Sequence, residues 1–158
     1  MAEEKREQTP EEQMQQAVQQ ALEAIDQAQQ ALAVDTQSYV DWYWQESTKL
    51  QEHAAWSDRS RLGCRIRNIG SGMYVQWYIA DRWAKTAKSQ YIGKPAKSLK
   101  YSLTTLLRYA PAWQHKIVQD SEAVFAQKRH ANQQLAQARV ALRRLAPSES
   151  AGETDDGQ

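Results

Sequence analysis

Arginine, tyrosine and glutamine occupy alternate positions on either side of a short glycine turn. Arg61, Arg65 and Arg67 precede Gly70-Ser71-Gly72, and Tyr74, Gln76, Tyr78 and Arg82 follow it. Forked guanidinium and carboxamide groups match the edges of guanine and adenine, and a phenol can hold a phosphate or stack on a base. A face of this kind suits a β-ribbon lying in a major groove. Asp81 is the one carboxylate between residues 61 and 82.

Other chemistries find less support. His53, His115 and His130 have no second ligand three or four residues away, so no metal site is signalled. Gly93-Lys-Pro-Ala-Lys-Ser98 lacks the second glycine of a phosphate loop and carries Pro95 inside it. Gly70-Ser71-Gly72 has neither the spacing nor the following helix of a nucleophile elbow. Cys64 is the single cysteine, which leaves no internal disulfide and no CxxC pair, and it reads as a small core residue. The expectation is a protein that is not an enzyme and needs no cofactor or metal.

Charge sharpens the polar face into a hypothesis. The net charge is only +1, but residues 1 to 55 hold three basic and eleven acidic side chains, a balance of −8. Residues 56 to 118 hold twelve basic against two acidic, a balance of +10. A polyanion is the natural partner for that segment. Lys85, Lys88, Lys94, Lys97 and Lys100 would act as point charges on phosphates, positioning a duplex without specifying its sequence. Arg65, Arg67, Tyr74, Gln76, Tyr78 and Arg82 would supply base or groove contacts, with Arg61 beside them.

The elements that must position this face follow from periodicity. Thr9-Pro10-Glu11-Glu12 combines a cap, a first-turn proline and carboxylates at the positive end of a helix dipole. Met14, Val18, Ala21, Ile25, Ala28 and Leu32 then step by four and three, the seam of a weak coiled coil. Asp35 and Thr36 read as a break and fresh cap, with a second helix ending near Trp56-Ser57-Asp58. The period then changes to two. Leu62, Cys64 and Ile66, with Met73, Val75, Trp77 and Ile79, make one apolar face of a hairpin, and Gln90-Tyr-Ile-Gly93 offers a third strand. Helical spacing returns at Leu99, Leu103, Leu106 and Leu107, and Pro111 opens a last helix running to about Leu145. Ala131, Leu135, Ala138, Leu142 and Leu145 repeat the four-and-three step, so this helix can pair antiparallel with the first. Pairing between two chains, a homodimer through the terminal helices, has the same spacing. The six tryptophans read as core or helix–sheet packing groups.

The expected fold class is α+β: a small three-stranded antiparallel sheet packed on helices, with long terminal helices in a coiled-coil-like arrangement. Residues 9–146 form a single DNA-binding domain, helical over 9–55, sheet over 61–94 and helical over 98–146. Residues 1–8 and the acidic tail 147–158 are expected to be disordered. No apolar run approaches the roughly 20 residues of a membrane span and the amino terminus is acidic, so the expected location is cytoplasmic.

Residues 63 to 130 contain "GMYVQWYIADRW", "YIGK" and "YSLTTLLRYAPAWQHKIVQDSEAVFAQKR", in the order hairpin, basic strand and helix. This run resembles the MobI-type conjugative transfer proteins of integrative elements and large conjugative plasmids. The resemblance implies an auxiliary factor that binds DNA at an origin of transfer and acts with the relaxase. The hairpin also looks like the three-stranded arm-type DNA-binding sheets of tyrosine integrases, an analogy of fold alone. Two other readings stay open: an adaptor whose helices bind a protein partner, and single-strand binding through stacking on Tyr74 and Tyr78.

Overall fold

The computed structural model describes residues 6–69, 72–80, 89–95 and 97–146. Helix α1 spans Pro10–Gln51. Its start is the expected one: the Thr9 hydroxyl accepts from the Glu12 amide, and the Glu12 carboxylate accepts from the Thr9 amide.

The anticipated break at Asp35-Thr36 does not occur. Thr36 is fully buried and its hydroxyl donates to the Leu32 carbonyl one turn back, while Asp35 pairs with Lys128 of the last helix. A threonine that bonds backward in this way stays inside a helix. The helix therefore runs unbroken, and it ends at Gln51, before the 3-10 turn Trp56–Asp58. Thr36, Val40, Tyr43 and Ser47 form its buried stripe, spaced by four, three and four.

Strands β1 (Leu62–Ile69) and β2 (Gly72–Ala80) pair antiparallel, and the short β3 (Ser89–Tyr91) adds to β2, giving the order β1-β2-β3. The register sets Arg65 opposite Gln76, Arg67 opposite Tyr74 and Tyr78 opposite both Gly63 and Tyr91. Leu62, Cys64, Met73, Val75 and Trp77 are buried, so the period-two reading placed the core face correctly. Trp77 sits at its centre, edge-on to Tyr43 at 5.2 Å between centroids and tilted against Phe125 at 5.7 Å.

Helix α2 is confined to Leu103–Tyr109, capped by Ser102, so Leu99 lies outside the helix that its spacing suggested. Pro111 leads into the 3-10 turn Ala112–Gln114 and then α3, His115–Arg143. Helices α1 and α3 pair antiparallel within the chain, because Asp26 binds Arg139 and Asp35 binds Lys128. The proposed seam is incomplete: Met14 is 50% exposed, Leu145 is 57% exposed, and Ala28 and Ala138 also face outward. Polar contacts share the work of apolar ones here.

Two polar networks fix the sheet on the helices. The buried Gln114 carboxamide donates to Tyr43 Oη at 2.8 Å and Ser47 Oγ at 2.9 Å, and accepts from Ser60. Glu122 and Arg129, one heptad apart on α3, form a buried bidentate pair at 2.7 and 3.1 Å. Glu122 also accepts from Trp77 Nε1 and the Tyr101 amide, both at 2.8 Å. Arg129 donates to the Val75 and Leu99 carbonyls and stacks on Tyr101.

The tryptophans divide. Trp77 is core as expected, but Trp42, Trp44 and Trp56 are 38%, 40% and 69% exposed. Trp44 instead donates its indole N–H to the Cys64 carbonyl at 3.1 Å, and Tyr43 Oη donates to the Leu62 carbonyl at 2.5 Å. These bonds occupy outward carbonyls of edge strand β1, which would otherwise be open to a further strand.

Candidate nucleic-acid interface

The outer face of the sheet is built by the same alternation that fills the core. Arg65 and Arg67 on β1, Tyr74, Gln76 and Tyr78 on β2, and Tyr91 on β3 occupy the positions opposite the buried set. Tyr78 lies across Gly63: a Cβ there would fall 2.5 Å from its ring, so only glycine lets the ring lie flat on β1. Tyr91 stands beside Tyr78 on the next strand.

The two tyrosines make a bed for the arginines. The Arg65 guanidinium carbon is 5.2 Å from the Tyr78 ring centre and 4.7 Å from that of Tyr91, and the Arg67 carbon is 5.1 Å from Tyr91. Each such contact contributes roughly 0.5–1 kcal/mol at an exposed site. Partial burial raises the Tyr78 phenol above its ordinary range, the nearby Cys64 adds to this, and Arg65 opposes it. Among the described residues neither Arg65 nor Arg67 is ion-paired with a carboxylate. A stacked guanidinium is held in place while its in-plane N–H groups stay free to fork onto a base edge or phosphate.

The remaining predicted contacts are more scattered. Arg61 precedes β1 and its Nε donates to the Ala80 carbonyl at 3.0 Å, at the far end of the ladder from the hairpin turn. Tyr74 is 46% exposed and packs over Gly72. Gln76 lies opposite Arg65 and is partly buried. Lys94, Lys97 and Lys100 are exposed on the segment between β3 and α2, where Lys94 donates to the Ser98 carbonyl and Lys97 takes a left-handed φ of 62°. No contact described joins these lysines to the arginine–tyrosine cluster. Arg82, Lys85 and Lys88 lie outside the described residues, as does the tail 147–158.

Tyr91 is the member that sequence reasoning missed. Its signal was present: exposed Tyr91 precedes buried Ile92, whose amide donates to the Trp77 carbonyl and extends the ladder. Its role depends on a three-residue strand and on the register that sets it next to Tyr78.

Among the described residues, no group of histidine, cysteine and carboxylate side chains could hold a metal ion. No described helix is long and apolar enough to cross a membrane. The family model described as MobI protein matches residues 32–143, which include all three strands, the C-terminal part of α1 and the whole of α3. No curated protein and no solved structure matches the chain.

Proposed function

The chain belongs to the MobI family, and from this conjugative mobilisation context we propose that it is an accessory factor that binds duplex DNA at an origin of transfer and assists the relaxase. The observation that carries the reading is the tyrosine-stacked pair Arg65 and Arg67, without carboxylate partners among the described residues. A structural salt-bridge surface would pair such groups. A reading surface leaves their forks open, and bidentate arginine on guanine is the commonest specific contact in a major groove. Lys94, Lys97 and Lys100 add phosphate contacts, and Arg82, Lys85 and Lys88 belong to the same proposed interface. A homodimer through the terminal helices would present two such faces to a two-fold site.

The test is fluorescence anisotropy with labelled duplex at several salt concentrations. If Lys85, Lys88, Lys94, Lys97 and Lys100 each neutralise a phosphate, the log-log slope is about −4 to −5. Replacing Arg65 and Arg67 with glutamate should remove the base contacts and abolish retention at moderate salt. Unchanged affinity in that double variant, or a flat salt response in the native protein, refutes the interface.

The exposed rings of Tyr74 and Tyr91 also favour stacking on unpaired bases. Competition between duplex and single strand of one sequence separates the two readings. A clear win for the single strand would replace the groove model.

A further inference from the structure

At the closed end of the hairpin, a cleft of about 460 Å³ opens between α1, β1, β2 and α3 on the helix side of the sheet. Two of its lining side chains, Asn132 and Gln29, have buried polar atoms without a partner. Asn132 is 8% exposed, and its Nδ2 donates to the Met73 carbonyl at 3.1 Å, which fixes the amide. Its Oδ1 is buried and has no partner. Gln29, on the α1 wall, has a buried Nε2 that also has no partner. One orphan acceptor and one orphan donor therefore line the same cavity without bonding each other. Buried groups of this kind weaken a fold unless something else satisfies them.

The charges at the rim have a sign. Arg139 is buried and bound to Asp26, while Arg143, in the last turn of α3, is exposed with no ion pair among the described residues. The cleft thus combines an acceptor, a donor, an apolar floor at Met73 and Ala33, and a free cation. A base edge offers complementary donors and acceptors, carboxamides are suited to reading it, and its phosphate suits an arginine.

Position links the cleft to the outer face. Asn68 and Met73 form one rung of the hairpin and line the cleft, and Arg67 and Tyr74 form the next rung and face the other way. We propose that this cleft takes one unpaired nucleotide, its base between Asn132 and Gln29 and its phosphate on Arg143. The inference rests on the DNA-binding reading. A base can reach the helix side of the sheet only after leaving the duplex stack, so the ligand is an extruded or bulged nucleotide.

Two arms test it on the full chain. In one, the side-chain amide NMR signals of Gln29 and Asn132 are followed while free dAMP is added. In the other, anisotropy compares a duplex bearing one bulged 2-aminopurine with its fully paired counterpart. The bulged duplex should bind at least about fivefold tighter, matching the lower range for a two-bond base contact. Its fluorescence should change on binding. The variant Gln29→Leu/Arg143→Gln leaves the Asn132–Met73 bond and the Asp26–Arg139 pair in place, and it should lose the preference while retaining paired-duplex binding to within about threefold, as expected for one phosphate contact. Equal binding of bulged and paired duplex with silent amide signals overturns the cleft and leaves the DNA-binding reading standing. Saturable amide shifts with dAMP, in a protein that binds no duplex, support the cleft and refute the groove model. A preference that survives in the variant overturns the residue assignment.

Discussion

Replacing Glu122 with alanine should be among the most damaging single changes in the molecule. Its carboxylate holds the Arg129 guanidinium through two bonds of 2.7 and 3.1 Å, and also satisfies the Trp77 indole and the Tyr101 amide. Both side chains of the pair are about 95% buried. Deletion leaves one charge and two N–H groups without their partner in a largely buried site, a cost of about 3–5 kcal/mol for the charge alone. Arg129→Ala should cost a similar amount, since it strands Glu122 and frees the Val75 and Leu99 carbonyls. Against a total stability of roughly 5–15 kcal/mol, two independent losses would unfold the protein. The losses are not independent, because most of each is the penalty of the partner left behind. The double variant should therefore lie well below the sum, with a coupling of at least about 2 kcal/mol. Urea denaturation followed by circular dichroism measures the cycle, and melting points of the single variants should fall by about 6–20 °C. Additive losses, or a Glu122→Ala loss below about 1 kcal/mol, would show that the pair is solvated and does not fasten the sheet to α3.

Gly63→Ala places a methyl group where the Tyr78 ring lies, so it should destabilise by about 1–3 kcal/mol and weaken duplex binding by disturbing the bed under Arg65; a variant unchanged in urea midpoint and anisotropy would refute the ring position. Burial, with a further contribution from Cys64, pushes the Tyr43 phenol far above its ordinary value of 10.0, so the folded state keeps this proton where the unfolded chain releases it. Stability should hold below about pH 10 and then fall by up to about 1.4 kcal/mol per pH unit on this account, a loss that Tyr43→Phe should flatten in urea midpoints taken from pH 8 to 11. Arg65→Lys keeps the charge but loses the planar fork, so the salt slope should stay the same while discrimination between an origin-of-transfer duplex and random duplex drops by about 1–3 kcal/mol; retained discrimination in competition anisotropy would reduce Arg65 to a phosphate contact.

The hairpin was legible in the sequence because period two is a local signal that one buried face enforces. Leu62, Cys64, Val75 and Trp77 went inside, and Arg65, Arg67 and Tyr74 went out, as their alternation required. The Thr9 cap was legible for a similar reason, since its partner Glu12 is three residues away. What could not be read were choices made by distant partners. Asp35-Thr36 has the composition of a cap, and it is helical here because Lys128 takes the carboxylate and the Leu32 carbonyl takes the hydroxyl. Trp44 has the composition of a core residue, and it is half exposed because its indole serves the edge of β1. Glu122 and Arg129, seven residues apart on a polar helix, look like two solvated charges until Trp77 and Tyr101 are placed against them.

The same dependence on partners explains why the candidate interface is better defined than its residue types alone would make it. Two arginines on an exposed strand normally sample many rotamers, and binding must then freeze them, at roughly 0.5–1.5 kcal/mol for each immobilised side chain. Here the register brings Tyr78 and Tyr91 beneath them, and Gly63 leaves the room that keeps Tyr78 flat. Behind this surface, the opposite face of β2 is tied to α3 through Trp77, Val75 and Met73 by Glu122, Arg129 and Asn132. Part of the ordering cost is thus met during folding. A guanidinium already in plane loses less freedom on meeting a guanine edge, so the buried polar network of α3 and the exposed arginines of β1 act on one quantity, the precision with which two forks are presented.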